Sequence, residues 1–202
     1  MSLGMGKDKF IIVLLCGILG LSSMSFTQEN ELRVGDVVFQ DSHSSQSDAI
    51  KLATESKYSH CGIVFQKDRQ WYVLEAVQPV RVKSLAAWKK QGVSFQRRSF
   101  KDQAKLTPEV VKKMVAYGTS QVGKNYDWKF DWSDGEMYCS ELVWKIYKNG
   151  AGVELCAPRP LKDYKLGSPV VRDQLKKRYG ATLPLQEPMV SPEDLFRSGL
   201  LE

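Results

Sequence analysis

The stretch Met137-Tyr138-Cys139-Ser140-Glu141-Leu142-Val143-Trp144-Lys145-Ile146-Tyr147 constrains this chain more than any other. Its apolar residues Leu142, Val143, Ile146 and Tyr147 recur at helical spacing, and the turn formers Asp134 and Gly135 precede it. Cys139 therefore falls in the first turn of a helix, next to unpaired backbone N–H groups and the positive end of the helix dipole. A thiol so placed can drop from a pKa of about 8.5 to roughly 3.5–7.5 when a cation helps. The alternative is a buried structural cysteine opening a core helix, since free cysteine packs as a small hydrophobe.

A nucleophilic thiol needs a base or a cation, and the chain has two histidines, His43 and His60. His43 lies among serines, where a surface or capping role is expected. His60 starts the β-rich run Ser59-His60-Cys61-Gly62-Ile63-Val64, followed after Lys67-Asp68-Arg69-Gln70 by a second run from Trp71 to Val77. A hairpin closed about Asp68-Arg69 sets Gly62 opposite Glu75 and puts His60, Gly62 and Glu75 on one face. His60 and Glu75 are then diagonal neighbours, and Gly62 leaves the space between them open. An inward carboxylate is costly unless paired, and one that orients an imidazole completes a nucleophile, base and orienter set. The competing reading of Glu75 is an edge-strand charge facing water. Cys61 points to the face opposite His60, as a core thiol, and Cys156 has no local partner.

Arg33 to Gln40 reads as a first strand and Ala49 to Ala53 as a short helix. Val80-Arg81-Val82 and Val93-Ser94-Phe95 continue the sheet, with a helical turn at Leu85, Ala86 and Trp88 between them. Thr107-Pro108-Glu109 starts a helix that ends near Gly123, and Val170 to Tyr179 and Ser191-Pro192 start two more. The architecture expected is α+β, an antiparallel sheet packed by helices on one side.

With 202 residues, 43% hydrophobic and 26% charged, the chain suits one globular domain. Residues 1–25 read as an export signal, with Lys7 and Lys9 before an apolar run from Phe10 to Leu21, leaving residues 26–202 as the domain. An uncleaved anchor is the alternative, although the run is short for a bilayer span of about 20 residues. Loss of Lys7, Lys9 and Asp8 takes the formal charge from +6 to +5. The basic residues are dispersed without Arg-aromatic stripes, so no nucleic acid is expected as partner. Weak association with a membrane surface or cell wall remains compatible with that charge. An odd number of cysteines after the signal, Cys61, Cys139 and Cys156, leaves at least one thiol free. No metal-ligand spacing occurs, and no cofactor is implied.

Val34-Gly35-Asp36-Val37-Val38-Phe39, Ser59-His60-Cys61-Gly62-Ile63-Val64 and Tyr138-Cys139-Ser140-Glu141-Leu142-Val143 resemble the Gly-Asp strand, the histidine strand and the cysteine helix of NlpC-type cell-wall peptidases. In that superfamily the cysteine helix comes first. The reversed order here is similar to its circularly permuted branch, the YaeF/YiiX-type permuted papain-like amidases, over about Gly35 to Phe196. The resemblance implies a permuted papain-like fold and a Cys139, His60, Glu75 catalytic set. It also implies an oxyanion site at the Cys139 N–H with Tyr126, although Asn125 stands where many relatives carry proline. The implied activity is a cysteine amidase or peptidase working through an acyl-enzyme on a small peptide or cell-wall-derived amide, and the export signal makes the periplasm its expected place. A lipid-directed thiol acyltransferase or esterase and a non-catalytic peptide-binding module are the alternatives.

Overall fold

Asp68 and Arg69 adopt left-handed backbone, with φ of 49° and 62°, as a two-residue hairpin turn matched to strand twist requires. The computed structural model, which describes residues 32–44 and 46–202, closes there the hairpin of β2 (His60–Lys67) and β3 (Gln70–Glu75). The expected export segment lies outside the described residues. Lys67 pairs with Gln70 and Ile63 with Leu74, a register that carries Gly62 opposite Glu75. The expected function of Gly62 is corrected, however. A Cβ there would sit 2.4 Å from Val73 Cγ1 and 3.0 Å from the Leu74 carbonyl oxygen, so the glycine admits a packed neighbour and does not keep a gap.

β1 (Val37–Ser42), β4 (Arg81–Ser84) and β5 (Gly92–Arg98) complete an antiparallel sheet of order β4-β3-β2-β1-β5. β1 starts later than the expected Arg33. The Arg33 N–H donates to Asp36 Oδ2 at 2.9 Å and Gly35 has φ of 92°, so these residues form a turn.

The helices do not all lie on one side. α3 (Pro108–Ser120) and α4 (Cys139–Ile146) cover one face, where a Cβ at Gly118 would meet Leu74 and Ile146. Glu75, next along β3 and so on the opposite face, meets Trp88 of α2 (Leu85–Lys89) instead. The cause is in the strands. Val37, Phe39, Cys61, Ile63 and Leu74 are buried on the α4 face, while their neighbours Val38, Val64 and Val73 are buried too, so both faces need cover.

Thr107 caps α3 by accepting from the Val110 N–H, with Pro108 in the first position; the helix stops at Ser120, short of the expected Gly123. α1 (Ser47–Thr54) packs on α5 (Pro169–Tyr179) through Ala49, Val171 and Leu175. The short pair β6 (Arg159–Pro160) and β7 (Pro188–Met189) leads into α6 (Pro192–Phe196), capped by Ser191. No helix among the described residues is long and apolar enough to cross a membrane.

Candidate active site

Cys139 is the first residue of α4, so its backbone N–H lacks an intrahelical acceptor. The start of this helix is pinned from three directions. Glu141 Oε2 accepts from the Tyr138 N–H at 3.2 Å, the Ser140 hydroxyl donates to the Val190 carbonyl at 2.7 Å, and the Val190 N–H donates to the Tyr138 oxygen at 3.2 Å. Lys145 bridges Glu141 at 2.8 Å and Asp134 at 2.9 Å. Burial still dominates at Glu141 and pushes its carboxyl up to about 7, against the pull of Lys145.

The opposite side of the site is built on the hairpin. His60 Nε2 lies 2.7 Å from Glu75 Oε2, and both residues are buried. Glu75 holds two further donors. The Trp88 indole N–H reaches the same Oε2 at 2.8 Å, and the Arg81 Nε–H reaches Oε1 at 2.9 Å. The Trp88 ring also stacks near the imidazole, with 6.0 Å between centroids. Burial alone would raise the Glu75 pKa, but His60 and then Arg81 hold it down at about 2. Burial likewise disfavours the His60 imidazolium, yet hydrogen bonds to Cys139 and to Glu75 bring its pKa up to about 10.

Cys139 is where these elements meet. Its pKa lies well below the ordinary thiol value, chiefly through a hydrogen bond from the Cys61 thiol; burial opposes this, and His60 and the Cys61 backbone reinforce it. With Nε2 engaged by Glu75, Nδ1 is the ring nitrogen left for the sulfur. Cys61 itself is driven well above the usual range by burial and by Cys139. It sits in the core on the α4 face, as its place in the strand implies, and its thiol also interacts with the Cys139 sulfur.

The structure thus brings Cys139, His60 and Glu75 together. Tyr126 stands beside them, 6% exposed and set by a hydrogen bond from its N–H to Gln78 Oε1 at 2.7 Å. Cys156 is half-buried with its thiol pushed up to about 12, mainly by burial, and His43 is exposed at a cavity rim. Sequence reasoning missed Cys61 as a donor and Trp88 and Arg81 as partners of Glu75. Arg81 was detectable in principle, since it stands opposite Glu75 on β4.

Two cavities open at this site. One, about 680 Å³ with its open mouth, contains Cys139 and is walled largely by apolar residues of α1, α5 and the Val190 segment. The other contains His60 and Glu75 among serines and glutamines. Gln46, Ile50 and Tyr126 border both.

Residues 31–202 match the model of the permuted papain-like amidases YaeF/YiiX, the C92 family. The chain belongs to this family. The Escherichia coli K12 protein YiiX is 41% identical over 164 residues, 81% of each chain. A crystal structure of "metalloprotein yiiX" from Escherichia coli O157:H7 superposes with a TM-score of 0.80 at 40% identity, covering 84% of this chain and 94% of that one. Membership establishes the C92 fold, a permuted papain-like one, and an amidase at family level. The described residues contain no group of three or more His, Cys, Asp or Glu side chains placed to hold a metal ion.

Proposed function

We propose that this C92 protein is a cysteine amidase with Cys139 as nucleophile, His60 as acid and base, and Glu75 as the group that orients and charges the imidazole. The observation that carries the reading is the buried His60–Glu75 pair, 2.7 Å apart, whose imidazole acts on a cysteine at a helix N-terminus and helps hold its pKa well below the ordinary thiol value. The Cys139 thiolate adds to the amide carbonyl, and the Cys139 N–H, with Tyr126 beside it, faces the developing oxyanion. The C–N bond breaks as His60 protonates the leaving amine. Water, giving a proton to His60, then cleaves the thioester to a carboxylic acid and restores the thiolate.

The test is Cys139→Ala against wild type on acyl p-nitroanilides. Turnover disappears while the far-UV circular dichroism and melting curve stay close to wild type. Full activity in the variant would overturn the assignment. Residues 1–25 are proposed as a cleaved export signal, so mature protein recovered from the periplasm begins near Phe26; recovery of the intact chain from the cytoplasm would refute this.

A further inference from the structure

We propose that the amine portion of the substrate bears an anionic group, carboxylate or phosphate, and that this group is held beside the Trp128 indole by the ammonium groups of Lys129 and Lys177. The inference rests on the amidase reading for the side of the scissile bond to which the group belongs, and it adds a binding site outside the Cys139, His60 and Glu75 set.

His60 must give its proton to the amide nitrogen, so whatever that nitrogen carries extends into the cavity beside the imidazole. In the lining of that cavity, Gln40 Oε1 and Gln91 Nε2 are buried with no hydrogen-bond partner among the described residues. They are an acceptor and a donor of the kinds that a peptide group satisfies, and leaving them unpaired is costly. Trp128 stands in the wall of the same cavity. It also borders a further cavity of about 550 Å³ with its open mouth, lined otherwise by Lys129, Gln174, Lys177 and Arg178.

Every charged side chain in this further lining is a cation. Arg178 is already engaged, since its guanidinium lies 3.8 Å from the Phe130 ring centroid and donates to Gln46 Oε1. Lys129 and Lys177 are exposed, and neither forms an ion pair among the described residues. Asp127 is buried and its Oδ1 accepts from the Lys129 backbone N–H at 2.7 Å, so its carboxylate is turned to the main chain. The indole between the two cavities is 53% exposed, with its ring set against Tyr126 at 4.9 Å between centroids. Its loop is tied down at both ends: the Tyr126 N–H donates to Gln78 Oε1 at 2.7 Å, and the Tyr179 hydroxyl donates to the Lys129 carbonyl. A platform fixed in advance costs little to order when a ligand arrives. The aromatic face takes the apolar part of the segment that carries the anion.

The experiment uses the full mature chain and N-hexanoyl glycine, diglycine and triglycine, each as the free carboxylate and as the carboxamide. N-hexanoyl phosphoethanolamine against N-hexanoylethanolamine is the phosphate arm. Hexanoate release is measured, together with shielding of Trp128 from acrylamide, read as the difference between wild type and Trp128→Phe. The anionic member of a pair should have a kcat/KM about three- to tenfold higher, the worth of two partly exposed ion pairs. The ratio should shrink toward one in about 0.5 M salt, where screening acts beyond roughly 4 Å. Lys129→Gln combined with Lys177→Gln should bring it to one at low salt, and the arm with the larger wild-type ratio names the anion. Equal cleavage within every pair would overturn the site and leave the amidase reading standing. Shielding of Trp128 that favours the anions, with no hexanoate released, would keep the site and overturn the amidase reading. Neither shielding nor release would overturn both, and a ratio that survives the double variant would overturn the assignment to these lysines.

Discussion

Glu75→Gln is the sharpest probe of how the site is charged. The wild-type carboxylate accepts from His60 at 2.7 Å, Trp88 at 2.8 Å and Arg81 at 2.9 Å. The amide removes the negative charge next to the imidazolium. An opposite charge in contact shifts a pKa by about 1–3 units, equivalent to roughly 1.4–4 kcal/mol. His60, held at about 10 in the wild type, should then fall to roughly 7–9. In the proposed reaction the imidazolium protonates the departing nitrogen, so the alkaline limb of kcat/KM on hexanoyl p-nitroanilide should move down by the same amount. The acid limb behaves differently. Below the His60 pKa the imidazolium is present in both proteins, so the pH at which iodoacetamide ceases to label Cys139 should change by less than about half a unit. This contrast separates electrostatic loss from general damage to the site. A variant whose alkaline limb coincides with wild type would remove Glu75 from the mechanism and leave Cys139 and His60 as a dyad.

Cys61→Ala should move the acid limb of Cys139 labelling up by about 1–2 units, the worth of one hydrogen bond to a charged group, and Cys61→Ser should restore part of it; an unmoved limb would show that Cys61 is only a core residue. Glu141 is held at about 7, above its unfolded value of 4.5, by burial, so its contribution to stability is fully present below pH 4.5 and is lost as pH rises through 7. Urea unfolding of Glu141→Gln at pH 5 and pH 8 should lack about 2.5 kcal/mol of the wild-type decline, and an identical decline would refute this. Gly62→Ala drives a methyl group against Val73 and should cost about 1–3 kcal/mol, lowering Tm by roughly 2–10 °C in a scanning experiment. A neutral outcome would mean that Val73 can turn aside.

The legible parts of this protein are those fixed by local rules. The period of Leu142, Val143 and Ile146 locates α4 and puts Cys139 at its start, and the Asp68-Arg69 turn sets the hairpin register that brings His60 to Glu75. What stayed hidden depends on packing between segments remote in sequence. The five residues of α2 are too few for a periodic signal, so neither their position over the Glu75 face nor the Trp88 hydrogen bond could be read. The contact between Cys61 and Cys139 links β2 to α4, two elements far apart in the chain. The apolar cavity needs α1, α5 and the Val190 segment at once, and each taken alone reads as an ordinary amphipathic element.

The hairpin turn at Asp68 and Arg69 also governs how this protein tolerates change in length. Side chains alternate along β2, with His60 turned toward Trp88 and Cys61 toward the α4 core. A shift of pairing by one residue would exchange them, presenting a thiol to Glu75 and an imidazole to the hydrophobic interior. The tip lies seven residues from Cys61, a span of about 24 Å along a strand, and it is exposed. Loops of that kind usually accept insertions and deletions freely. Here the number of residues in the turn is part of what sets His60 against Glu75: substitutions that keep left-handed backbone are admissible, whereas a single added or removed residue must be absorbed as a bulge before the imidazole is reached.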